Sequence, residues 1–135
     1  MSNDPQIEFV EHIKELFPEI INEKGFSIEV GPGWFHIVEE FIGEIYSQYR
    51  ASANKAEWLS EFEISSIKEK FGRLRVQFWA TQDTEQIRAG YKILNKSIVT
   101  CEKCGRPGVL RSDLLWHKTL CDEHYEFAKV DFLRM

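Results

Sequence analysis

Apolar positions divide the first fifty residues into two helical stripes with an alternating stretch between them. From Asp4-Pro5, the residues Ile7, Val10, Ile13 and Phe17 recur every three or four positions, and Phe9 and Leu16 widen the stripe. Glu8, Glu11 and Glu15 fall outside it, as on the wet side of an amphipathic helix. Asp4 can accept from the free N–H groups of the first turn and Pro5 suits that turn. Pro18 disfavours helical backbone at Phe17 and ends the helix there. After Gly25, Phe26, Ile28 and Val30 alternate with Ser27 and Glu29, which predicts a short strand. Gly31-Pro32-Gly33 reads as a turn. Trp34, Ile37, Val38, Phe41, Ile42, Ile45, Tyr46 and Tyr49 then follow in steps of three and one. They predict a central amphipathic helix of about 16 residues whose broad apolar face must be covered.

The next fifty residues change period. A polar, Ala-rich connection spans 51–60, and a strand begins at Phe62-Glu63-Ile64. Arg73 to Ala80 alternates strictly, with Leu74, Val76, Phe78 and Ala80 on one face. Between them, Lys70-Phe71-Gly72-Arg73 offers a glycine for positive φ, so the segment 61–80 is expected to be a β-hairpin. Asp83 or Thr84 caps a further helix carrying Ile87, Tyr91, Leu94 and Ile98. The pattern predicts an α+β fold: helices packed on a small antiparallel sheet. It divides into a body at 1–98 and a C-terminal segment at 99–135 packed on it.

Composition supports a packed core. Of 135 residues 43% are hydrophobic and 13% aromatic, including ten Phe and four Trp, so the body does not need disulfides to fold. Three Cys confined to residues 101–121 are an odd number, which argues against a disulfide framework and fits a reducing compartment. The start Met1-Ser2-Asn3-Asp4-Pro5 lacks a basic residue followed by an apolar run, so no secretory signal is expected. With no long apolar span either, no membrane partner is expected and the location read from the sequence is cytoplasmic.

The cysteines form part of a metal pattern. Cys101-Glu102-Lys103-Cys104 and Cys121-Asp122-Glu123-His124 are two pairs, each with two residues between its members. One tight turn presents both side chains of such a pair to one ion, and two pairs complete a tetrahedron. Gly105 suits the turn after Cys104. The pattern predicts one zinc ion (Zn2+) held by Cys101, Cys104, Cys121 and His124 in a zinc-ribbon or treble-clef-like segment. His117, four residues before Cys121, is the competing ligand, but pair spacing favours His124. A closed shell of three Cys and one His leaves no open position, so the site is structural. Loss of the metal is then expected to loosen residues 101–125 and leave the body largely folded. His12 reads as solvated and His36 as a packed or exposed residue.

No other pattern carries chemistry. Gly31-Pro32-Gly33 lacks the Lys-Ser/Thr of a phosphate loop, and there is no Gly-x-Ser-x-Gly. A non-enzymatic protein is expected. Net charge is −5, unevenly spread: residues 1–50 carry ten acids and three bases, a balance of −7, and residues 51–100 carry six acids and eight bases, a balance of +2. Lys68, Lys70, Arg73 and Arg75 gather at the hairpin with Phe71 and Trp79, a mixture that binds single-stranded nucleic acid in some proteins. Glu61, Glu63 and Glu69 are expected to pair with these bases across the strands.

Gly33-Trp34, the stretch Lys68-Glu69-Lys70-Phe71-Gly72-Arg73-Leu74-Arg75, the knuckle Cys101-x-x-Cys104-Gly105-x-Pro107-Gly108 and Leu120-Cys121-Asp122-Glu123-His124 together resemble a group of small, uncharacterised bacterial and phage proteins. The resemblance covers about residues 33–125. It implies a bacterial or phage cytoplasmic origin and a zinc-bound tail, and no activity. In size, charge and lack of an active site the chain is also similar to toxin immunity proteins, without a shared motif. The leading expectation is therefore an interaction protein whose acidic surface binds and neutralises a basic toxin domain. The alternative is a nucleic-acid-binding accessory protein using the hairpin and the zinc segment.

Overall fold

The computed structural model describes residues 4–21, 25–81 and 84–133, so the Met1–Asn3 start and the expected cap Asp83 lie outside the described residues. Helix α1 spans Pro5–Leu16, with the Asp4 side chain accepting from the Gln6 N–H. It ends at Phe17, whose backbone is not helical, as the following proline requires. Its buried face centres on Phe9 and Ile13, while Ile7 and Leu16 point outward. The expected stripe was thus too wide by those two residues.

Strand β1 is Ser27–Glu29, bracketed by buried Phe26 and Val30. A short 3-10 turn at Pro32–Trp34 leads into α2, Phe35–Ala51. Trp34, Ile37, Val38, Phe41, Ile42 and Ile45 are all buried, so the central helix lies where its periodicity placed it. Each such side chain contributes about 1.5–3 kcal/mol by leaving water. Helix α3, Lys55–Ser60, is capped by the Asn54 side chain and turns the chain into the hairpin.

The hairpin consists of β2, Phe62–Lys70, and β3, Arg73–Ala80. The two strands pair antiparallel, with an irregularity between Ile64 and Ser66. Strand β1 joins the other side of β2 in parallel, giving the order β1-β2-β3. The sheet is therefore mixed, not purely antiparallel as expected. The reason lies in the connection: a parallel pair needs a long crossover, and α2 with α3 supplies it. Alternation identified β1 but could not reveal its direction.

Helix α4, Thr84–Ser97, packs on α2 and β3. It buries Ala89, Ile93 and Ser97. Ile87 and Tyr91, expected to face the core, are 43% and 65% exposed. Lys92 and Lys96 bind Glu44 and Glu40 of α2 at 2.9 and 2.5 Å, which fixes the rotation of α4 against α2. The C-terminal segment adds strands β4, Val109–Arg111, and β5, Lys118–Leu120, as a second small hairpin, then α5, Asp122–Leu133.

Both residues of the main hairpin's loop are left-handed, Phe71 at φ 55° and Gly72 at φ 82°. Two-residue loops of this kind favour Asn-Gly, because their twist demands positive φ at both positions. A phenylalanine there costs about 1–2 kcal/mol relative to ordinary backbone. Phe71 is also 64% exposed, so packing returns little of that cost. Phe71→Asn is accordingly expected to raise stability by about 1 kcal/mol. Denaturant unfolding checks this, and a loss of stability would show that the exposed ring is held by contacts beyond its own turn.

Candidate metal centre

The two Cys/His pairs arrive from different local structures. Cys101 to Cys104 form a tight knuckle: the Gly105 N–H donates to the Cys101 carbonyl at 2.9 Å, and Gly105 turns the chain at φ 81°. Cys121 sits immediately before α5, and His124 lies in its first turn. Knuckle, hairpin, helix is the treble-clef order; a ribbon would take its second pair from a second knuckle. The ligand atoms of Cys101, Cys104, Cys121 and His124 all lie within 4.8 Å of one another, so the four could hold one metal ion. His124 Nδ1 is 3.6 Å from Cys101 Sγ and 3.2 Å from Cys121 Sγ, and Cys104 Sγ is 3.9 Å from Cys121 Sγ. His117 is exposed and outside the group.

Arg106 is the residue that spacing did not single out. Its guanidinium donates to Cys104 Sγ at 3.2 Å and to Cys121 Sγ at 3.5 Å, and to Glu123 at 2.8 Å. This contact pulls the Cys104 thiol down to about 6, which favours the thiolate a metal requires. Burial pushes the Cys101 thiol in the opposite direction. Cys121 precedes the first turn of α5. Behind it, Arg111 donates to the Leu120 carbonyl and to Asp122, and lies over the Tyr125 ring at 4.2 Å. Tyr125 also bonds Asp113. These contacts fix β4 to the start of α5 and so set the direction of His124.

The knuckle docks on the body through its backbone. The Gly33 N–H donates to the Glu102 carbonyl at 2.7 Å, the Gly31 N–H to the Glu102 carboxylate at 2.9 Å, and the Trp34 indole to the Thr100 carbonyl at 2.8 Å. The Gly-Pro-Gly segment, read from sequence only as a turn, is thus the surface on which the knuckle rests. The tip of the main hairpin is held by the same segment. Thr119 Oγ1 donates to the Gly72 carbonyl at 2.6 Å, and Lys118 reaches Glu69 at 3.0 Å and buried Glu102 at 3.6 Å.

That contact removes Glu69 from the role expected of it. The register places Lys68 opposite Arg75, Lys70 opposite Arg73, and Glu63 opposite Trp79. Glu61 precedes the strand. Like charges therefore face each other directly, an arrangement that destabilises a sheet. Glu29 lies beside Lys68 in the β1 register. Among the described residues none of the four bases has an ion pair, and all are exposed. His12, read as solvated, is exposed and also sits 2.6 Å from Glu39; His36 is exposed beside the knuckle.

A groove of about 690 Å³ runs between β3 and α4. Leu74, Val76 and Phe78 form its strand side, Ile87, Tyr91 and Leu94 its helix side. The apolar stripe that predicted α4 from sequence thus lines an open groove instead of the core. Nothing in an amphipathic pattern distinguishes these two fates.

Fold and site together define a small α+β protein with a candidate Cys3His metal centre at its C-terminal end. No family model, curated protein or solved structure matches the chain. Among the described residues no helix is long and apolar enough to cross a membrane.

Proposed function

We propose that the chain is a non-enzymatic protein-interaction protein whose C-terminal segment is held by one structural zinc ion. The interaction half rests on the groove between β3 and α4, where exposed Ile87 and Tyr91 leave an apolar helix face without a cover. An exposed apolar helix face beside an open groove supports an interaction site there. The zinc half is supported by ligand chemistry and spacing. Three thiolates and an imidazole suit zinc, and its bond lengths require S···S near about 3.8 Å and S···N near about 3.6 Å. The separations of 3.9 and 3.6 Å match these values, while Cys121 to His124 at 3.2 Å is shorter and the group as a whole spans up to 4.8 Å. Four protein ligands leave no place for a reacting water. Elemental analysis is expected to give one zinc per chain, and pull-down with the product of the adjacent gene a complex. Absence of zinc, or of any protein complex, removes the corresponding half.

The immunity form of this reading, in which a basic toxin domain is neutralised, narrows to α1. Glu40 and Glu44 form ion pairs with Lys96 and Lys92, and Glu39 lies 2.6 Å from His12, so two of the three acids of α2 are balanced by lysines within the fold. Glu8, Glu11 and Glu15 remain exposed on α1. Reversing Glu11 and Glu15 to Lys is expected to slow association with a basic partner at least tenfold at low salt. An unchanged rate sinks the immunity form.

A second reading, nucleic-acid binding, is favoured by the four unpaired bases of the hairpin. It requires affinity for an oligonucleotide that falls steeply with salt and is lost in the Arg73→Glu/Arg75→Glu double variant. Binding indifferent to salt rules it out.

A further inference from the structure

We propose that the groove between β3 and α4 receives an extended acidic segment of a partner protein, added to β3 as a fourth strand with acidic and apolar residues in alternation. The proposal rests on the interaction reading above and does not require its immunity form. Three observations converge on it. First, β3 is an edge strand among the described residues, with β2 on one side and no strand on the other. Lys70 and Arg73 close a two-residue loop, so Arg73 and Arg75 direct their backbone groups to β2, and Leu74 and Val76 direct theirs outward. The Leu74 N–H is taken by Ser97 Oγ at 3.0 Å; that marks where α4 closes the edge, and the groove lies beyond it.

Second, the two sides of that edge have opposite chemistry. On the helix side lie Ile87, Tyr91 and Leu94, with Gly90 among them keeping the floor low. On the other side stand Arg73 and Arg75 of β3, backed by Lys70 and Lys68 one strand further in on β2, none of them in an ion pair among the described residues. Side chains of a strand alternate between faces. A strand paired to β3 therefore places every second residue toward the bases and the others into the apolar groove. Complementarity demands acids at the first set and apolar side chains at the second. Added strands of this kind take affinity from backbone hydrogen bonds and specificity from alternate pockets.

Third, Phe71 lines the groove mouth at φ 55° with its ring exposed. Strain of this kind gathers at ligand sites, and the fold itself gains little from this ring. A nucleic acid would use the bases and stack on Phe71 and Tyr91 but would leave Ile87 and Leu94 unmatched, so the peptide accounts for more of the surface.

The test uses the metal-loaded full chain and a blocked synthetic peptide of about seven residues in which glutamate alternates with valine or phenylalanine. Binding followed by tryptophan fluorescence is expected in the micromolar range, with slowed hydrogen exchange at the Val76 amide. Arg73→Glu/Arg75→Glu and Gly90→Leu should each weaken it at least tenfold. Gly90→Leu remains folded on physical grounds: leucine is the better helix former, and a Cβ at Gly90 meets only Phe78 Cε1 at 3.6 Å. No binding at about 1 mM overturns the proposal. So does binding that survives Gly90→Leu, equal binding of a peptide with the same residues in blocks, or a single-stranded oligonucleotide that protects Val76 and binds more tightly. If the adjacent-gene product binds and Gly90→Leu leaves that complex unchanged, the groove assignment fails and the interaction reading stands.

Discussion

Chelation of the metal, or Cys121→Ser, is expected to destabilise the whole chain by at least about 3 kcal/mol, lowering the thermal midpoint by roughly 10 °C or more. Structural zinc contributes on the order of 10 kcal/mol to isolated finger peptides. Here the body has its own core around α2, so the loss is smaller. It does not stop at the metal segment, however. Cys101 and Cys121, with Leu120, form a small buried cluster of their own that no large core supports. Without the ion, the thiolates repel and the knuckle opens. Glu102, one residue from Cys101, then no longer holds the Gly31 and Gly33 N–H groups, and Thr100 no longer holds the Trp34 indole. Buried donors left unsatisfied each cost about 1–3 kcal/mol. The near-UV signal of Trp34, fully buried at the start of α2, should therefore change with the far-UV signal of the tail. If hydrogen exchange instead shows lost protection only in residues 101–133, the body is independent of the metal. That was the expectation from spacing alone, and the docking contacts are the reason to reverse it.

Those same contacts explain what was legible in the sequence. The α2 stripe fixed a central helix because every third or fourth position was large and apolar, and no alternative period fits it. The grouping of Cys101, Cys104, Cys121 and His124 was legible because a tetrahedral ion needs paired donors at short spacing, a constraint local to each pair. The docking of the pairs was not legible. It runs through backbone groups of Gly31, Gly33, Thr100 and Glu102, which carry no side-chain signal beyond two glycines. The like-charge pairs of the hairpin are not legible either, because sequence order offers Glu69 to the bases as readily as to Lys118, which holds it in the fold. The rotation of α4 was equally hidden: Ile87 and Tyr91 satisfied the helical period while the burial went to Ala89 and Ile93. Four stretches with no shared local chemistry, at Gly33-Trp34, 68–75, 101–108 and 120–124, become one contact region. It is built by Gly33 on the knuckle, Gly72 on β4 and β5, and the knuckle on α5.

The sharpest test of that region compares two glycines of the same stretch. A Cβ at Gly33 would lie 2.1 Å from the Cys101 carbonyl oxygen and 2.5 Å from the Gly105 nitrogen. Both are backbone atoms of the knuckle, so neither can turn aside as a side chain would. Gly33→Ala must push the knuckle off the body or distort the turn before α2, at an expected cost of about 3 kcal/mol or more. Gly43 lies inside α2, and a Cβ there meets only the Phe17 ring at 3.9 Å. Alanine is the better helix former by about 1 kcal/mol, so Gly43→Ala should stabilise. The two identical substitutions therefore carry opposite signs, and denaturant unfolding of the metal-loaded proteins reads the difference. Zinc affinity separates the mechanism from simple loss of stability. If Gly33 acts by holding the knuckle, Gly33→Ala weakens zinc binding at least tenfold and Gly43→Ala leaves it unchanged. Equal zinc affinities would mean that the knuckle forms its site without the body, and that the close approach at Gly33 follows from the metal site without supporting it.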